Sequence, residues 1–120
     1  MAGPLNTVAL TRGFLADAKA EGMTGAEIEA MVQMLAAHPD AGDLVRGSGG
    51  MRKVRVAGRG HGKSGGFRVL TFHAAAFDMP VYAMAVLSKG ARANFSAAEA
   101  DELAKVGKAI LVALRSTKAG

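Results

Sequence analysis

The sequence predicts an α+β fold: a small, antiparallel-rich, four-stranded sheet with two N-terminal helices and a C-terminal helix. Three observations predict it. Residues 12–37 and 96–116 carry apolar side chains at helical spacing behind clear capping signals, whereas residues 51–88 change to the two-residue period of strands. The strands in that middle region follow one another over short connections, which pair antiparallel. With 120 residues, half of them apolar, the chain can close one core, and a single domain over 1–120 is expected.

The elements follow in order. LNTVAL (5–10) is short, apolar and partly β-branched, and reads as a strand. Thr11 caps a helix from Arg12 to Glu21, which Gly22 stops. Thr24 with Glu27 forms a capping box, and Ile28, Met31, Val32, Leu35 and Ala36 continue that helix to His38-Pro39. PDAGDLVRGSGG has turn-forming density throughout and reads as a loop.

MRKVRVA then alternates, with Val54 and Val56 on one face and Met51, Lys53 and Arg55 on the other. GFRVLTFHA and PVYAMAVLSK are the next strands, joined by a link at Ala74–Asp78 short enough for a hairpin. Tyr82 is expected in the core beside Met84 and Val86, and His73 reads as a structural strand residue. Ser96 with Glu99 opens the long last helix, whose apolar residues are Leu103, Val106, Ile110, Leu111 and Leu114.

Charge is unevenly spread along the chain. The net charge is +5, yet residues 1–45 sum to −4, while residues 46–95 carry nine Lys and Arg against Asp78 alone. A basic block of this kind is the footprint of a polyanion site. There are no cysteines, which excludes disulfides and thiolate metal sites and suits a cytoplasmic protein. No segment approaches the roughly 20 apolar residues of a membrane span, so no membrane association is expected.

One motif invites a nucleotide-binding reading. AGRGHGKS (57–64) fits G-x-x-x-x-G-K-[ST] if Ala is allowed first. A phosphate-binding loop of that class leads into a helix, whose dipole and free amides face the phosphates. Here Lys63-Ser64 is followed by Gly65-Gly66 and then FRVLTF, which is strand sequence, and no acidic residue is placed to hold magnesium. GRGHGKSGG is better read as a hairpin that presents Arg59 and Lys63 to the phosphates of a nucleic-acid backbone. The three histidines lack ligand spacing and no carboxylate is expected near the basic centre, so neither metal nor other cofactor is expected.

The run GMRKVRVAGRGHGKSGGFRVLTFH, with SKGARANFSAAEADELAKVGKAI after it and MTGAEIEAM before it, resembles the RelE/ParE superfamily of bacterial toxins, in particular its HigB-like branch. The resemblance implies the RelE-like fold and a ribosome-dependent endoribonuclease, an mRNA interferase that cleaves mRNA in the ribosomal A site and so inhibits translation. Its partners would be the ribosome, mRNA and a cognate antitoxin, commonly one with a helix-turn-helix domain. ParE-like relatives instead poison DNA gyrase, and a non-catalytic member that only binds antitoxin or nucleic acid is a further alternative.

Carried over by position, the resemblance implies catalytic roles for Lys53, Arg55, Arg68 and Lys89. Arg52, Arg59, His61, Lys63, Arg92 and Phe95 would contact RNA. Multidentate cations suit a transition state whose phosphoryl oxygens gain negative charge. Some relatives carry a tyrosine just before the last helix where this chain has Phe95; a phenyl ring can stack on a base but cannot carry a proton. The proton acceptor is therefore expected among Lys53, Lys89 and His61.

Overall fold

The computed structural model describes residues 6–57, 66–74, 79–87 and 95–119. In chain order these form β1 (Val8–Leu10), α1 (Arg12–Glu21), α2 (Gly25–Ala37), β2 (Asp43–Leu44), β3 (Met51–Val56), β4 (Phe67–Phe72), β5 (Val81–Leu87) and α3 (Ala97–Ala119). The sheet has five strands in the order β1-β5-β4-β3-β2; β1 runs parallel to β5 and the other pairings are antiparallel.

The helix ends form where capping chemistry places them. Thr11 Oγ1 accepts from the Phe14 amide at 3.1 Å and also donates to the Ala83 carbonyl at 2.9 Å, so one hydroxyl starts α1 and ties it to β5. Gly22 closes α1 with φ of 79°, a left-handed geometry that glycine adopts without steric cost. Thr24 and Glu27 exchange both capping-box hydrogen bonds at 3.1 and 2.8 Å, and Ser96 and Glu99 do the same at 3.1 and 2.8 Å. At His38 it is the backbone N–H that reaches the Met34 carbonyl, at 2.8 Å.

The sheet is covered on both faces. Val54, Val56, Val69, Val81, Ala83 and Val86 pack with Phe14, Ala18, Met31 and Leu35 of α1 and α2. Met51, Leu70 and Phe72, with Tyr82 and Met84, pack with Leu103, Ile110, Leu111 and Leu114 of α3. Gly107 brings α3 down onto β4: a Cβ there would lie 2.7 Å from Phe72 Cε1. A glycine inside a helix costs roughly 1 kcal/mol relative to alanine, and here it permits the close approach of helix to ring.

Two expectations are corrected. The sheet has five strands instead of four, because Asp43–Leu44 in the turn-rich stretch pairs with β3; two residues are too few to show a period. Tyr82 and Met84 do face α3, but Val86 lies on the α1/α2 face. A bulge is the reason: Leu70 pairs with Ala85 and Thr71 with Ala83, leaving Met84 as the extra residue and shifting the alternation after it. The Val86 amide beyond the bulge donates to Asp17 Oδ2 of α1 at 3.1 Å. The link at 75–78 lies outside the described residues.

Candidate nucleic-acid interface

Alternation along β3 places Met51, Lys53 and Arg55 on the face that α3 covers, and the β3–β4 register places Phe72, Leu70 and Arg68 opposite them in turn. Helix α3 covers the Met51–Phe72 end of this face, where both side chains are fully buried. Four residues along β3, about 13 Å at strand rise, Arg55 is exposed and Arg68 half-buried. The apolar half of the face anchors the helix, and among the described residues the basic half is exposed at Arg55 and half-buried at Lys53 and Arg68.

Arg55 and Arg68 are directly opposite each other. Like charges in that position work against the fold. Among the described residues no carboxylate lies within ion-pair distance of either; Asp40 is hydrogen-bonded to His73 at 3.2 Å and Glu102 pairs with Lys105 at 3.1 Å. Two guanidinium groups held side by side on adjacent strands offer more N–H donors to a phosphate's oxygens than a single lysine ammonium can. Leu87 faces Arg68 from β5 and supplies an apolar wall on that side.

Lys53 is half-buried and has a different neighbourhood: Leu70 faces it from β4 and Asp43 from β2. A carboxylate thus shares the face with the basic residues, contrary to the expectation that none lies near them. Sequence reasoning missed Asp43 because it stands ten positions before Lys53 in a segment read as loop, and no local pattern links the two.

Arg52 is separated from this group. Its side chain lies on the opposite face of β3, with Val54 and Val56, and its Nη1 donates to the Gly42 carbonyl at 3.3 Å. Period-two alternation alone carries that separation, since Arg52 precedes Lys53 by one residue. Phe95 is half-buried against the cluster under α3, next to the Ser96 cap. His73 sits just past β4, its Nδ1 hydrogen-bonded to Asp40 Oδ1, in a structural link between β4 and the segment after α2.

Arg59, His61, Lys63, Lys89 and Arg92 lie outside the described residues. Their segments join the sheet at Val56, Phe67 and Leu87, the same sheet end that carries Arg55 and Arg68. Among the described residues no group of three or more His, Asp or Glu comes together as a metal-binding set, and no helix is long and apolar enough to cross a membrane.

The family model described as the RelE toxin of the RelE / RelB toxin-antitoxin system matches residues 7–118, which includes every strand and nearly all of α3. A small α+β fold with three helices and a five-stranded sheet accords with that match. The chain belongs to the RelE family of toxin-antitoxin toxins.

Proposed function

We propose that this protein is a ribosome-dependent mRNA endoribonuclease of the HigB-like branch, acting as one domain in the cytoplasm and cutting mRNA in the ribosomal A site. A toxin of this family has a cognate antitoxin as its partner. In this reading that antitoxin carries a helix-turn-helix domain, and the other partners are the ribosome and its mRNA.

The observation that carries the reading is the Arg55–Arg68 pair, one exposed and one half-buried, two like charges opposed across adjacent strands among the described residues. Such a pair is a liability to the fold and an asset to a reaction in which negative charge builds on phosphoryl oxygens. Arg68 and Arg55 would hold the scissile phosphate, with Lys53 and Lys89 adding positive charge. Arg59, His61, Lys63 and Arg92 would position the flanking backbone. The RNA's own 2′-hydroxyl is the nucleophile, so the protein supplies electrostatic stabilisation and proton transfer in place of a covalent intermediate.

A second reading has one observation behind it. Phe95 is half-buried against the cluster under α3 and lacks the proton-carrying hydroxyl of a tyrosine, which favours a member that binds antitoxin or nucleic acid without cutting. The two readings separate in a bacterial cell-free translation reaction supplied with purified protein, with mRNA ends mapped by primer extension. Cuts within codons that require translation and vanish with Arg68→Ala support the nuclease; intact mRNA with normal protein synthesis supports the binding protein.

A further inference from the structure

The 2′-hydroxyl must lose its proton as it attacks phosphorus; of the acceptors expected from the sequence, His61 and Lys89 lie outside the described residues, and Lys53 has the Asp43 carboxylate as its register partner. Arginine stays protonated in proteins and the phenyl ring of Phe95 has no site for a proton. We infer that Asp43, on the short edge strand β2, is the proton acceptor for the attacking hydroxyl. This inference rests on the nuclease reading and assigns a further residue to the same site.

Among the described residues, Asp43 is the one acidic residue in a strand. It is exposed, and its register partner is Lys53, so its side chain rises from the same face of the sheet as Lys53, Arg55 and Arg68. Arg55 is its diagonal neighbour on β3, a relationship of about 7–8 Å that long side chains span. A phosphate held between Arg55 and Arg68 would bring an adjacent ribose to the edge of the sheet where Asp43 stands. The charged groups facing Asp43 from β3, the strand paired with β2, are Lys53 and Arg55.

The position of Asp43 is fixed from both sides. Gly42 has φ of 93° and runs so close to β3 that a Cβ would lie 2.3 Å from the Lys53 carbonyl oxygen, while its own carbonyl accepts from Arg52. After it, the Val45 amide donates to the Met51 carbonyl at 2.8 Å, and the buried Ser48 hydroxyl donates to the Val45 carbonyl at 2.6 Å and accepts from the Met51 amide at 3.0 Å. Two residues of strand are thereby held in one register without a longer ladder.

The step balances without a change in oxidation state. The 2′-oxygen attacks the adjacent phosphorus and its proton passes to an Asp43 carboxylate oxygen. The O2′–P bond forms and the P–O5′ bond breaks, leaving a 2′,3′-cyclic phosphate on the upstream fragment. The departing 5′-oxygen takes a proton from water, and Asp43 returns its proton to solvent.

The test is single-turnover cleavage of mRNA on programmed ribosomes across a pH series, with wild type, Asp43→Asn, Asp43→Glu and Arg68→Ala. Ribosome co-sedimentation and thermal midpoints are measured on each. Asp43→Asn should cleave about 10²- to 10⁴-fold more slowly, with binding and midpoint unchanged. The wild-type rate should fall tenfold per pH unit on the acid side, and Asp43→Asn should lose that limb. Asp43→Glu, which keeps the carboxylate, should retain both the limb and part of the rate. An Asp43→Asn variant as fast as wild type, or slow with the wild-type pH profile, overturns the assignment of Asp43 alone. A wild-type protein that cuts no mRNA overturns this inference together with the nuclease reading.

Discussion

Arg55 of β3 and Arg68 of β4 stand directly opposite each other, on the half of the sheet that α3 leaves uncovered. Cross-strand like charges destabilise by up to about 1 kcal/mol. Arg68→Gln should therefore unfold at the same or slightly higher denaturant concentration than wild type, gaining about 0.2–1 kcal/mol. The same change should lower mRNA cleavage by about 10²–10³-fold, the usual loss when one donor to a charged transition state is removed. Chemical denaturation and primer extension on the same preparations check both halves. A loss of stability matching the loss of activity would assign Arg68 to the fold.

Gly107 lets α3 rest on the Phe72 ring, with 2.7 Å between a hypothetical Cβ and Cε1. Gly107→Ala gains helix propensity, yet must displace a fully buried ring. Overpacking of this kind typically costs about 1–3 kcal/mol, which exceeds the roughly 1 kcal/mol of propensity. The variant should be destabilised on balance, and pairing it with Phe72→Leu should recover part of the loss. Midpoints of the two single variants and the double variant read the coupling.

Asp17 of α1 accepts from the Val86 amide, just past the β5 bulge. Asp17→Ala would leave that partly buried amide without its acceptor, at a cost of about 1–3 kcal/mol. Asp17→Asn retains an acceptor oxygen and should cost less. Amide hydrogen exchange at Val86 separates local opening of the bulge from global unfolding.

Thr71 is 1% exposed, and among the described residues its hydroxyl has no hydrogen-bond partner. It faces the α1/α2 side beside the bulge, across from Ala83. Thr71→Val removes the unsatisfied group with little change of shape and should stabilise by about 1 kcal/mol. A midpoint below that of wild type would show that the hydroxyl has a partner in solution.

Local chemistry made much of this fold legible. The caps at Thr11, Thr24 and Ser96 need only side chains three residues apart, and Gly22 announces its own stop. The alternation of MRKVRV put Lys53 and Arg55 on one face and also separates Arg52 from them. What stayed hidden depends on pairs distant in sequence. The Arg55–Arg68 opposition is a matter of register, set by how the two strands align across the glycine-rich segment. Strand β2 is too short to show a period, so Asp43 could not be related to Lys53. The bulge at Met84 reverses the alternation without any glycine or proline to mark it, and Val86 was therefore assigned to the wrong face.

Whether the Arg55–Arg68 pair serves RNA cleavage on the ribosome is decided by incubating one labelled mRNA, free or bound to programmed ribosomes with a defined A-site codon, with wild type, Arg55→Ala and Arg68→Ala. The predicted result is cleavage within the A-site codon on ribosomes only, leaving a 2′,3′-cyclic phosphate, with each variant slowed by about 10²-fold or more. Equal cutting of free mRNA, or no cutting by wild type on either template, would contradict it.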